Sequence, residues 1–399
     1  MLRRGNPCGC PFRAGARPAP TSIMSKVVLK RCPDYDPEKV YNSIAESVEL
    51  LGGISSFVKR GEKLLLKPNL LSAKAVEKAV TTHPAVIEAV IRLVKDSGAK
   101  PFIGDSPGIG SAEQVAAKSG IKKVADRYGV QIVNLSDGIQ VENRKGKMFK
   151  RLDLSKTAYE ADGIINLPKL KTHVMMTMTL GVKNLFGCVP GKRKISWHFE
   201  AGHDKDAFAR MLVESYHLLS PRLTILDGII GMEGDGPGSG TPRKMEIIAA
   251  SPDAVAMDMI ISRMVGLLPG ELPTTKAAMQ LGIGETDIDM IEIAGDAAGM
   301  VFENFIFPET VEPRFVSWLP SFIKKHMDYA LTSRPSVKHE MCKLCNICVN
   351  ACPSQVMQIS DKLRINYDNC IRCYCCHELC PEGAIDIKKG WGMKLLGSR

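Results

Sequence analysis

The C-terminal quarter of the chain carries one cysteine pattern twice. Cys342, Cys345, Cys348 and Cys352 precede Pro353, and Cys370, Cys373, Cys376 and Cys380 precede Pro381. Each copy reads C-x2-C-x2-C-x3-C-P, and the second begins 28 positions after the first. Soft thiolates suit iron and its sulfides, and the tight x2 spacing wraps one loop around a cubane so that three thiolates converge on three irons. The fourth iron then takes a ligand from elsewhere in the chain. Zinc sites favour paired C-x2-C knuckles, and eight cysteines in a three-plus-one repeat give no sensible zinc partition. Cys375 lies off the x2 register and reads as packing or tuning, whereas Cys8, Cys10, Cys32 and Cys188 are scattered thiols.

This segment is only a small part of 399 residues, so the remainder must bury a core of its own. The net charge of +10 belongs to that remainder. Between 337 and 388, six basic residues (338, 343, 362, 364, 372, 388) balance six acidic ones (340, 361, 368, 378, 382, 386). A basic body implies an anionic ligand or an acidic partner. Nucleic acid ranks last, because no reading motif or aromatic-basic interleaving occurs. No apolar run is long enough for a transmembrane helix. Residues 1–25 are rich in Pro, Gly and Arg, lack the apolar centre of a secretory signal, and read as a disordered extension with Met24 as a candidate start. Thiolates of this kind need a reducing compartment, which points to the cytoplasm.

Through the body, apolar runs bounded by turn residues alternate with helical patterns. Strands are expected at Val27–Lys30, Lys63–Lys67, Pro101–Gly104, Gln131–Leu135, Gly163–Leu167, Leu223–Leu226, Met245–Ala249 and Met290–Ile293. Helices are expected at Pro37–Leu51, Pro84–Asp96, Ala207–Leu219 and Pro252–Val265. The alternation predicts an α/β domain with a mostly parallel sheet over 26–310, a linker and helix over 311–335, a small α+β dicluster domain over 336–389 and a tail over 390–399.

Ligands of open α/β sheets bind at the carboxyl ends of strands. Lys67 and Asn69, Asp105, the Lys169-Leu-Lys171-Thr-His173 segment and Asp227 all follow expected strands, and Lys183 follows Gly181. We expect Lys67, Asn69, Asp105, Lys169, Lys171, His173 and Lys183 to converge on an anionic substrate. A solvated basic loop is the competing reading of Lys169–His173, and the recurrence of lysines at strand exits favours a positioned set. Asp105, Asp227, Glu233, Asp235 and Asp258 are candidate ligands or acid-base groups, Asp258 with the alternative of a plain exposed helix residue. The Gly-rich loop from Glu233 lacks a Walker lysine, and neither a Rossmann fingerprint nor a hydrolase, zincin or kinase signature is present.

Lys67-Pro-Asn69, Thr82-His83-Pro84, Gly104-Asp105-Ser-Pro-Gly108, Asn166-Leu-Pro-Lys169-Leu-Lys-Thr-His173, Gly181-Val-Lys183-Asn184 and Asp227-Gly228, in that order, resemble the family called domain of unknown function 362, commonly fused to a segment with two 4Fe-4S clusters. That resemblance implies redox architecture and no defined reaction. The cysteine segment resembles bacterial-type ferredoxins at all eight ligand positions and both prolines. It implies that the last cysteine of each run serves the other cluster, grouping Cys342, Cys345, Cys348 and Cys380 apart from Cys370, Cys373, Cys376 and Cys352. Its balanced charge, against the acidity of many free ferredoxins, favours a tethered relay. Three readings follow: an iron–sulfur oxidoreductase supplied by a partner protein, an electron carrier that docks a partner enzyme, or a module whose clusters are structural or sensing.

Overall fold

In this computed structural model, residues 24–388 and 390 are described, apart from 145, 147–148, 203, 309 and 311–332. The body's strands are β1 (Ser25–Arg31), β2 (Lys63–Pro68), β3 (Lys100–Asp105), β4 (Ile132–Asn134), β5 (Gly138–Glu142), β6 (Arg151–Ser155), β7 (Gly163–Leu167), β8 (Lys169–His173), β9 (Thr177–Thr179), β10 (Leu223–Glu233), β11 (Thr241–Ser251) and β12 (Ile291–Ala294). The main sheet runs β12-β1-β11-β10-β7-β2-β3-β4, and β8 and β9 branch from β10. From β10 to β4 every pairing on this path is parallel, and β11 is the antiparallel strand between β10 and β1.

Parallel strands buried on both faces read as continuous apolar runs, and β2 and β7 do so. Leu64 and Leu66 of β2 join the core under helices Pro37–Leu50 and Pro84–Asp96, while Leu65 joins the opposite core with Phe208 and Leu212 of helix Lys205–Leu219. The first helix begins at Pro37 because the Asp36 carboxylate accepts from the amides of Glu38 and Lys39. His83 plays that part for the second, accepting from the Ala85 amide ahead of a proline start.

The expected strands all occur, and four others in the body were not anticipated. The β5–β6 hairpin is one departure. The segment Lys169–His173, expected to be a loop, is strand β8, and β9 pairs with it. Pro168 ends β7, and β10 runs on past it to pair Asp227 with Lys169 and Met232 with Lys171. A second correction concerns Asp258, which is fully buried rather than exposed and accepts from the amides of Gly181 and Val182 at 2.7 and 3.0 Å. The linker and helix expected over 311–335 fall largely outside the described residues, and Arg334 opens a strand.

The cysteine segment comprises β13 (Arg334–Val337) paired with β16 (Ile385–Lys388), β14 (Met357–Ile359) paired with β15 (Leu363–Ile365), and two one-turn helices, Ile347–Asn350 and Cys375–Glu378. Its Tyr374 and Ile387 pack into the body's core.

Candidate functional site

Each cysteine run folds the same way. Leu344 and Asn346 in the first run, and Arg372 and Tyr374 in the second, have positive φ between 51° and 64°. Such turns in non-glycine residues persist only where the surroundings impose them, and they cluster at functional sites. Cys342, Cys345, Cys348 and Cys380 line one hollow; Cys352, Cys370, Cys373 and Cys376 line a second. The Val356 amide donates to Cys352 Sγ at 3.4 Å, and the Ala384 amide donates to Cys380 Sγ at 3.2 Å, equivalent positions in the two runs. All described cysteines are free thiols. Four thiols set around a hollow fit a multi-iron cluster better than a single tetrahedral ion.

A cavity of about 470 Å³ lies where this segment meets the carboxyl ends of the body's strands, within the range of roughly 300–1,000 Å³ usual for small-molecule sites. Lys67, Asn69, Asp105, Lys171, His173 and Lys183 line it. Lys169 does not. Its ammonium is buried against the Asp227 carboxylate at 2.8 Å and the Tyr35 hydroxyl at 2.7 Å, so β8 sends its first lysine into a structural network.

The Lys67 ammonium, at the end of β2, lies 3.0 Å from the Asp105 carboxylate at the end of β3 and also donates to the Pro68 carbonyl. Asp105 accepts from the amides of Leu70 and Ser106, both at 2.7 Å. A Cβ on Gly187 would lie 2.1 Å from Asp105 Oδ1 and 2.5 Å from Lys67 Nζ, so the pair needs a glycine over it. Lys171 Nζ donates to Asn69 Oδ1 at 2.8 Å and the Val80 carbonyl at 2.7 Å, with no carboxylate in direct contact. Among the described residues the Lys183 ammonium has no hydrogen bond or ion pair; it stands 5.8 Å from the Phe186 ring centre.

His173 Nδ1 accepts from the amides of Met175 and Met176, which places the proton of the neutral ring on Nε2. That nitrogen lies 3.0 Å from Glu378 Oε1 of the cysteine segment. Burial depresses His173 and His198 to about 4, so both rings are neutral at pH 7. Burial alone would raise the Glu378 carboxyl, but His173 and Lys183 outweigh it and hold it down to about 2. Burial also pushes Lys171 and Lys183 below the ordinary lysine range, and Lys194 down to about 8.

The sequence reading passed over Lys194, His198 and Glu378. The basic run around residues 192–198 was visible, but nothing local joined it to the strand ends. Glu378 occupies the same repeat position as Asn350, and both line the cavity. Cys375, off the ligand register, lines the large cavity as well as the second cysteine hollow.

Fold and site together define an α/β body carrying a ferredoxin-type iron–sulfur segment, an electron-transfer protein with a 4Fe-4S centre and hence a redox partner. Residues 64–263 match the model for "Domain of unknown function (DUF362)" and residues 363–386 that for "4Fe-4S binding domain". The chain belongs to the DUF362 family. It is 42% identical over 291 residues to the "Thylakoid-associated protein sll1697" of Synechocystis sp., covering 73% of this chain and 90% of that one. A ferredoxin of Methanothermococcus thermolithotrophicus is 38% identical over 58 residues, covering 14% of this chain and 97% of that one. Among solved structures, the lactate racemase apoprotein from Thermoanaerobacterium thermosaccharolyticum aligns at a TM-score of 0.37 and 12% identity, over 59% of this chain and 56% of that one. This chain thus spans little more than half of that structure. Among the described residues no helix is long and apolar enough to cross a membrane.

Proposed function

We propose that the protein binds two 4Fe-4S clusters, one in each cysteine hollow, and reduces an anionic small molecule held in the cavity between the two segments. One observation carries this reading. The cavity is lined both by the body's lysines and by Cys375 and Glu378 of the cysteine segment, and Cys375 also lines the hollow formed by Cys352, Cys370, Cys373 and Cys376. The clusters supply single electrons at potentials set by their surroundings. The protein's own residues would hold the anion: Lys67, Lys171, Lys183 and Lys194 bind charge, Asn69 orients Lys171, and His173 Nε2–H holds Glu378 at the cavity wall. Lys169 is assigned to the scaffold.

The hollow of Cys342, Cys345, Cys348 and Cys380 offers a point of entry. Cys345 is exposed and flanked by exposed Met341 and Leu344, an apolar contact for a donor protein. The same surface supports the second reading, an electron carrier with no chemistry of its own. Thiols that must stay reduced until loaded favour a cytoplasmic setting, and we read 336–389 as a redox unit seated on the 26–310 body.

Anaerobically loaded protein should contain about eight irons per chain. After chemical reduction and removal of the reductant, mixing with a panel of organic anions should reoxidise the clusters, and Lys183→Ala with unchanged iron content should slow that step. Clusters that reoxidise only with a partner protein would establish the carrier reading.

A further inference from the structure

The charged groups lining the cavity, among the described residues, form two sets. Lys67 and Lys194 share Asp105: Lys67 contacts its carboxylate at 3.0 Å, and Lys194 donates to the carbonyl of the adjoining Ser106. Lys171 and Lys183 line the cavity with Glu378, which lies 3.0 Å from His173 Nε2 on the strand that carries Lys171. His173 and His198 are neutral. Each set therefore holds two lysines against one carboxylate, so that with the lysines protonated each end carries an excess of positive charge. The thiols of Cys373 and Cys376 are absent from the cavity lining and lie in the hollow behind Cys375.

Burial is the first cause that lowers Lys171, Lys183 and Lys194 below the ordinary lysine range, and unpaired charge drawn out of water is unfavourable. A ligand with one anionic group would answer half of it. The remaining lining includes Leu70, Leu71, Phe186, Ile195 and Leu379, which suits a carbon skeleton better than a second polar layer. Thr179 Oγ1 and His198 Nδ1, both buried in the lining, have no hydrogen-bond partner in the protein and can take up further polar atoms of a ligand.

We propose that the ligand is an organic dianion whose two anionic groups are joined by an apolar skeleton, one group on the Lys67–Lys194 set and the other on the Lys171–Lys183 set. This deepens the reading of the cavity as a substrate site and does not depend on the ligand being reduced.

The test is calorimetric titration of the cluster-loaded, oxidised full chain at constant ionic strength. The probes are the straight-chain dicarboxylates from malonate to adipate, the monocarboxylate of matching carbon number for each, and inorganic phosphate. One chain length should bind about tenfold or more tighter than its monocarboxylate, as one added charge-assisted contact implies. Phosphate, with its charge on one centre, should bind more weakly than that dicarboxylate. Lys183→Met and Lys194→Met should each erase the advantage, while a monocarboxylate still binds at the intact end. Iron content and melting temperature check that each variant is folded; should one fail, the opposite-end variant and the wild-type length series still decide. The proposal is overturned if dicarboxylates bind no better than monocarboxylates at every length, if phosphate binds tightest, if the advantage survives both variants, or if no carboxylate binds. Binding is measured without reductant. A selective dianion that never reoxidises the clusters would defeat the enzymatic reading alone.

Discussion

Lys169 is fully buried and Lys183 only partly so, and the two differ further in what they face. The Lys169 ammonium faces Asp227 and Tyr35, and Asp227 also accepts from the His83 amide at 2.9 Å. Lys169→Ala would leave the Asp227 carboxylate buried without its cation, and breaking a buried pair in this way costs about 3–5 kcal/mol. Urea unfolding should show that loss. Lys183→Ala removes an ammonium with no partner among the described residues and should leave stability nearly unchanged or raise it. Equal effects of the two would mean their environments had been misread. Lys194 adds a pH dependence. Burial is the first cause of its depressed value of about 8 against 10.5, ahead of attraction to Asp105 and repulsion from Lys67, with Cys188 and Lys183 also acting on it. Between those two values the unfolded chain binds more protons than the folded one, so stability should rise as pH climbs through that window. Urea midpoints at pH 8 and pH 10 should therefore separate in the wild type and draw together in Lys194→Met. A midpoint that falls with rising pH would reverse the sign.

At the level of elements, the site depends on a glycine inside the short helical turn Leu185–Cys188 and on a strand that does not look like one. Ala at position 187 would drive a methyl group into the Lys67–Asp105 pair. Overpacking of this kind costs about 1–3 kcal/mol. Gly187→Ala should thus lower the denaturation midpoint and weaken anion binding together; an unchanged midpoint with normal binding would show that the pair tolerates displacement. The strands β2, β3 and β7 were legible because apolar runs buried on both faces carry their own signal. Strand β8 was misread because Lys169, Lys171 and His173 break up its apolar content. Their spacing of two residues was itself a strand signal, with Leu170 and Thr172 on the other face. What hid it was the burial of three basic side chains, which occurs only where Asp227, Asn69 and Glu378 receive them. Asp258 was ambiguous for a related reason: its partners are the amides of Gly181 and Val182, far away in sequence.

For the molecule as a whole, the repeat of cysteines announced the iron–sulfur segment, and the motif order from Lys67 to Asp227 announced the body. How the two meet was not written in any local pattern. Glu378 against His173, His377 Nε2 within 3.1 Å of the Asp235 carbonyl, and Leu379 where a Cβ on Gly108 would strike it at 2.5 Å are contacts between residues far apart in the chain. They bring the second cysteine hollow beside the lysine-lined cavity, and the central claim is that a bound anion lies within electron-transfer reach of that hollow. The most direct measurement is pulsed electron–nuclear double resonance on the anaerobically reduced, cluster-loaded protein saturated with the tightest-binding dicarboxylate, labelled with carbon-13. The account predicts a carbon-13 hyperfine coupling to the reduced centre, lost in Lys183→Met, whereas full reduction and full ligand occupancy with no coupling would contradict it.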